Sequence, residues 1–200
     1  MQQVRTEIAG NLHEEINTTL SNINLLSEMA KIKADRDVNR SKEYIDQISD
    51  KSRKMMESMD DMLWSLDPAN DNMEKTILRM KEFAEGLQND HALDIQMEID
   101  NNVLSVKAGM KIRHELFLIF KEALTVIAKC GTASQCIINI DKEASNLSLK
   151  IYDRSATLDT TNTDVVHAVN EMEKRALLIN ASLDIQTDHT ATSVILQMHV

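Results

Sequence analysis

A single proline divides this chain. Asp67-Pro68-Ala69-Asn70-Asp71 holds the only proline among 200 residues, and proline removes a backbone donor and disfavours helix at the residue before it. Ahead of it, Gly10 is the only glycine, so little in the first 67 residues interrupts a helix. From Gln2 to about Lys33, Val4, Ile8, Leu12, Ile16, Leu20, Ile23, Leu26 and Ala30 recur every three or four positions, the spacing of one apolar helical stripe. Beyond the polar run Lys33-Ala34-Asp35-Arg36-Asp37, the residues Ile45, Ile48, Ser52, Met55, Met59, Met62 and Leu66 follow heptad spacing up to the proline. Met55, Met56, Met59 and Met62 read as bundle core. Two such helices span ~45 Å each at 1.5 Å per residue, and a lone hairpin of that length leaves apolar surface in water. Residues 1–67 are therefore expected to form a helical hairpin that dimerises into a four-helix bundle.

Beyond Asp71 the pattern changes. A helix from about Asn72 to Leu87 precedes the alternation Leu93, Ile95, Met97, Ile99, which predicts a half-buried strand, and a helix from about Met110 to Ala128 follows. Cys136 to Ile140 and Leu147 to Tyr152 read as a strand pair, about Asp164 to Asn180 as a helix, and Leu183 to Thr187 with Ser193 to Val200 as the last two strands. Residues 72–200 are thus expected to be a second domain, with helices on one face of a mostly antiparallel sheet. The fold class is α+β.

Charge and composition narrow the partners. A formal net charge of −10 and a pI near 5.0 supply no basic face for nucleic acid, so the expected partner is a protein or small molecule. Cys130 and Cys136 lack Cys-x-x-Cys spacing and read as buried free thiols in a reducing compartment. No apolar run approaches the ~18–20 residues of a membrane span, and Met1 leads straight into a helical pattern without a signal sequence. The expected location is the cytoplasm. His91, His114, His167, His189 and His199 are scattered without metal-ligand spacing and receive no role.

One histidine is different. In Arg5-Thr6-Glu7-Ile8-Ala9-Gly10-Asn11-Leu12-His13-Glu14-Glu15, the residues Arg5, Ala9, His13 and Asn17 share a row beside the apolar stripe, which makes His13 solvent-facing. A neutral imidazole nitrogen can attack a phosphoryl group in line, and the adjacent Glu14 can take the proton and hold the tautomer.

This stretch resembles the dimerisation and phosphoacceptor segment of sensor histidine kinases, in the subfamily whose acceptor histidine is followed by an acidic residue. Leu25-Leu26-Ser27-Glu28-Met29-Ala30, Asp61-Met62-Leu63-Trp64-Ser65-Leu66-Asp67-Pro68 and Asn70-Asp71-x-Met73-Glu74 resemble the same family's hairpin and linker. Phe120-Lys121-Glu122-Ala123-Leu124 resembles the start of its asparagine box. The resemblance implies a hairpin followed by a GHKL, or Bergerat-type, α/β sandwich.

The nucleotide motifs are degenerate. The family's magnesium-binding asparagine falls at Val126, which offers hard Mg²⁺ no oxygen. The adenine-contacting aspartate falls at Asp153, but the two glycines of that box are Ser155 and Thr157. The glycine that opens the helix under the phosphates falls at Ala168, and the last one at Ala191. Glycines serve such loops because backbone amides must approach phosphate closely, and Gly10, Gly86, Gly109 and Gly131 are the only four in the chain.

What the resemblance then implies is a histidine phosphotransferase without ATP binding or autokinase activity. His13 carries the phosphoryl group to or from a response-regulator receiver aspartate, Glu14 assists proton transfer, and Arg5 positions phosphate or partner. No cofactor is expected, and Mg²⁺ enters only with the receiver. Thr18 stands where this subfamily often has a glutamine that positions water, which implies weak phosphatase activity. The alternatives are a non-catalytic scaffold that binds a response regulator and, further off, an active sensor kinase.

Overall fold

The computed structural model describes residues 2–90, 93–130, 135–154, 158–159, 161–188 and 191–200, with the backbone alone for 2–9 and 11–15. The chain forms two compact units, 1–69 and 70–200.

In the first unit the uninterrupted stripe becomes helix α1 (Gln2–Lys33), and the heptad run becomes α2 (Val38–Leu66). Asp37 caps α2, its carboxylate accepting the Arg40 N–H at 3.0 Å and so satisfying one of the donors that a helix start leaves over. Across the turn, the buried Ser41 hydroxyl donates to the Ala30 carbonyl at 3.0 Å and ties the two helices together. The helix ends at Asp67, whose backbone is extended (φ −67°, ψ 121°) ahead of Pro68, and a short 3-10 turn covers Pro68–Asn70.

Ile16, Ile23, Leu26 and Ala30 of α1 and Ile48, Met55, Met59, Met62 and Leu66 of α2 lie on the packed side. Three positions depart from the expected stripe. Leu20 and Ile45 are exposed, and the α2 face begins instead at Ser41 and Tyr44, because three- and four-residue steps from Met55 and Met62 lead back to 48, 44 and 41. Met56 is likewise exposed, not core. The hairpin also leaves Leu25, Ile32 and Leu63 uncovered, each more than 60% exposed.

The second unit is a two-layer sandwich. Its elements are α3 (Met73–Asp90), β1 (Asp94–Ile99), α4 (Asn101–Leu104), α5 (Met110–Cys130), β2 (Gln135–Glu143), β3 (Asn146–Asp153), α6 (Thr163–Leu178), β4 (Ser182–Thr187) and β5 (Thr192–His199). The five strands form one sheet in the order β1-β2-β3-β5-β4. β1 and β2 are parallel, which requires the helical crossover through α4 and α5, and the other pairs are antiparallel. The one-turn α4 carries no stripe that spacing could reveal.

Alternation decides which face is covered. Ile138 and Ile140 of β2, Leu147, Leu149 and Ile151 of β3, and Val194 and Leu196 of β5 are buried against Met73, Ile77 and Met80 of α3 and Leu116, Phe120 and Leu124 of α5. The opposite face carries Asn139, Lys150, Tyr152 and Gln197, whose register partners confirm that they share one side. Phe83 meets Phe117 and Phe120 edge-on at 6.3 Å, so all three phenylalanines of the chain join α3 to α5.

Candidate functional site

Arg5, His13 and Glu14 lie on the α1 backbone between Gln2 and Lys33, and their side chains fall outside the described residues. Immediately after them, Asn17 and Thr18 are exposed while Ile16 is half-buried.

In the second unit, positions that are far apart in sequence meet. Val126 on α5 packs with Leu158, Val165 and Ala168 in a cluster distinct from the main core, and Cys130, Val169 and Ile185 pack around it. Val165 and Ala168 are brought there by the helical period of α6, whose stripe continues through Met172 and Ala176. The Leu158 N–H donates to Thr187 Oγ1 at 3.1 Å, and the Thr187 and Thr192 hydroxyls lie 3.0 Å apart across β4 and β5. Sequence reasoning singled out Val126 and Ala168 but missed Leu158 and Val165. The available signal was a lone leucine within the polar stretch 153–164, followed by a helical stripe.

Asp153 sits at the end of β3, with Cys136 and Thr192 as its register partners, and all three are fully buried. Burial first, and the neighbouring Asp153 second, push the Cys136 thiol up to about 12. Burial also raises the pKa of Cys130, although this second thiol is only half-buried and not in the core as expected.

These groups do not fit a magnesium–triphosphate. Four aliphatic side chains present no oxygen to a hard cation, and the positions 126 and 168 that the family's motifs would give to metal and phosphates share one apolar cluster with Leu158 and Val165. No described glycine serves a close approach either: Gly10, Gly86 and Gly109 all have negative φ, and a Cβ at each would meet nothing within 4 Å. Ser155, Thr157 and Gly131 lie outside the described residues, and Ala191 closes the β4–β5 turn with Asp188. Among the described residues, no three His, Cys, Asp or Glu side chains gather as a metal site.

A shallow groove of about 310 Å³ runs along the solvent side of α6, lined by Thr161, Thr163, His167, Asn170, Glu171 and Lys174. A bond from Lys174 at 2.6 Å holds the Glu171 carboxyl below its usual range. The groove is open and its charges compensate each other, so it adds no anion site.

Residues 4–71 match the family model described as Histidine kinase. No curated protein matches the chain. Among solved structures, the blue-light activated histidine kinase of Erythrobacter litoralis EL346 aligns over 96% of this chain and 60% of its own, with a TM-score of 0.59 and 11% identity. The isolated histidine kinase domain of that protein aligns over 98% of this chain and 94% of its own, at 12% identity and a TM-score of 0.58. The Acinetobacter baumannii histidine kinase AdeS aligns over 92% and 96%, at 9% identity and a TM-score of 0.57. This chain therefore spans 60% of the length of the first of these proteins. At these identities the structural likeness is one of fold. Together with the family match over the hairpin, it gives the architecture of a sensor histidine kinase core, a helical hairpin followed by a GHKL-like α/β domain.

Proposed function

We propose that the chain is a histidine phosphotransferase of a two-component phosphorelay, loaded by response-regulator receiver domains and not by ATP. The observation that carries this reading is the packing of Val126, Leu158, Val165 and Ala168 where the family's motifs would hold magnesium and phosphates. The chain keeps the His13-Glu14 pair on a hairpin that matches the family model, while Val126 stands at the motif position of the metal-binding asparagine and Ser155, Thr157, Ala168 and Ala191 at those of the glycines. A charge of −10 adds long-range repulsion toward a polyanionic nucleotide.

In this reading the unprotonated ring nitrogen of His13 attacks the phosphorus of an aspartyl phosphate. An N–P bond forms, the acyl P–O bond breaks, and the aspartate leaves as carboxylate. Glu14 holds the reactive tautomer and takes the proton from the opposite nitrogen, while Arg5 positions the phosphate or the partner. Mg²⁺ belongs to the receiver's acidic pocket. Exposed Thr18 places no amide near the phosphohistidine, in keeping with a carrier that is slow to lose its phosphate to water.

Dimerisation into a four-helix bundle would cover Leu25, Ile32 and Leu63, which the hairpin alone leaves in water. Among the described residues no helix is long and apolar enough to cross a membrane, which is compatible with work in the cytoplasm.

The test is transfer of label from a panel of phosphorylated receiver domains to the full chain without ATP, wild type beside His13→Ala. Label on the wild type alone supports the carrier. No label from any receiver, with receiver binding intact, would leave a non-catalytic scaffold, and label from ATP in the chain alone would restore an active kinase.

A further inference from the structure

Leu158 stands out in the second unit. It is only 4% exposed although the stretch around it, 153–164, is polar, and it belongs to a small cluster separate from the main core. Its side chain lies with Val126, Val165 and Ala168, which come from α5 and α6. Its backbone is held independently, because the Leu158 N–H donates to Thr187 Oγ1, and that hydroxyl is in turn bonded to Thr192, which is fully buried. An apolar side chain and a backbone anchor thus fix one residue between two helices and the β4–β5 pair.

Resting on the nucleotide-free reading above, we infer that Leu158 is the unit's own occupant of the former ligand site, an internal plug between the Val126 and Ala168 positions that makes the domain complete without a ligand. The physical reason is the packing requirement. A site lined by Val126, Val165 and Ala168 is too apolar to hold ordered water, and an empty apolar space forfeits the contacts of its lining. Leu158 supplies those contacts from within the chain. The hydroxyls of Thr187 and Thr192, which could otherwise face a ligand, are engaged in holding the plug. A domain closed in this way would be held in one state whatever the nucleotide level, as suits a relay answering only to its partner's phosphorylation.

The experiment compares the full chain with Leu158→Ala and Leu158→Met by thermal melting, by amide exchange at residues 165–168, and by titration with a fluorescent adenine nucleotide and Mg²⁺. Leu158→Ala is expected to lower the melting temperature by about 5–10 °C and Leu158→Met to keep most of it, since the thioether refills the space. Exchange at residues 165–168 should rise at least tenfold in the alanine variant. Saturating benzene should recover part of the loss in Leu158→Ala and do nothing to the wild type, because a dry apolar cavity of that kind takes up such solutes. An unchanged melt and exchange would overturn the plug, and so would a loss that benzene does not recover, which means that the lining simply collapses. Both results leave the phosphotransferase reading standing. Nucleotide binding by the wild type would overturn that reading along with the plug.

Discussion

Cys136 and Asp153 are register partners across β2 and β3, and neither has exposed surface, so a thiol and a carboxyl share one dry place in the sheet. Deprotonating the thiol there would bury a charge beside a carboxylate, which is why its pKa rises to about 12. At pH 8 the thiolate fraction is then on the order of one in ten thousand. The expected outcome is that iodoacetamide labels half-buried Cys130 first and reaches Cys136 only on unfolding, as read by mass spectrometry of the native chain. Because the folded-state value is raised, the protonated thiol stabilises the fold below its ordinary pKa, and that contribution is lost as the pH rises toward about 12. Cys136→Ala should remove this alkaline sensitivity. Equal labelling of both cysteines in the native protein would contradict the geometry.

The β2–β3 turn gives a second expectation. Ala144 has φ +51°, in a two-residue connection closed by the Glu143–Asn146 pair, and no other residue of the turn has positive φ. An alanine there pays a steric penalty that glycine does not, and the first central position of such hairpins is one where glycine is preferred. Ala144→Gly is therefore expected to raise stability by about 0.5–1 kcal/mol in urea titration, the relief of strain exceeding glycine's added chain entropy. Ala144→Val should act in the opposite direction.

How far such features were legible depends on what creates them. The helices α1 and α2 follow from unbroken periodicity ahead of Pro68, and their observed limits, Gln2–Lys33 and Val38–Leu66, lie close to those the spacing predicts. The strands were legible because β2, β3 and β5 bury one face each, which leaves a period of two. The face of α2 was harder, since Tyr44 and Ser41 face inward while Ile45 does not, and hydrophobicity alone ranks Ile45 first. At the site, motif spacing pointed to Val126 and Ala168 but not to Leu158, because a tertiary contact between a loop residue and two helices has no sequence period.

A partly buried ion pair joins α5 to α6. Arg175 donates to Glu115 at 3.0 Å, and the Glu115 side chain retains 9% exposure against 30% for the arginine. Removing the arginine leaves a carboxylate with little water, so Arg175→Met should cost about 2–3 kcal/mol, below the range for wholly buried pairs because the guanidinium is partly wet. The double variant Glu115→Leu with Arg175→Met should come back to within about 1 kcal/mol of wild type, since neither charge is then left behind. Denaturation of the four members of this cycle checks it. Purely additive losses would show that the two side chains do not act as a pair.

Val126→Asn puts the family's ligand type back at its motif position and so separates chemistry from context. If the proposed loss of nucleotide chemistry rested on that one side chain, the variant would bind Mg²⁺ and adenine nucleotide. The packing argues otherwise, because the new amide would enter a cluster of Leu158, Val165 and Ala168 with no metal partner within it. Burying an amide without a hydrogen bond costs about 1–3 kcal/mol, so the variant should be less stable by that amount and still fail to bind. Adding Ala168→Gly removes a methyl group that is buried in the same cluster, which should destabilise the α6 start further without creating a site. Calorimetric titration of Mg²⁺ and nucleotide into both variants, beside their melting curves, gives the answer. Micromolar binding in either one would mean that the site is one or two substitutions from function, and not closed by the packing of the whole cluster.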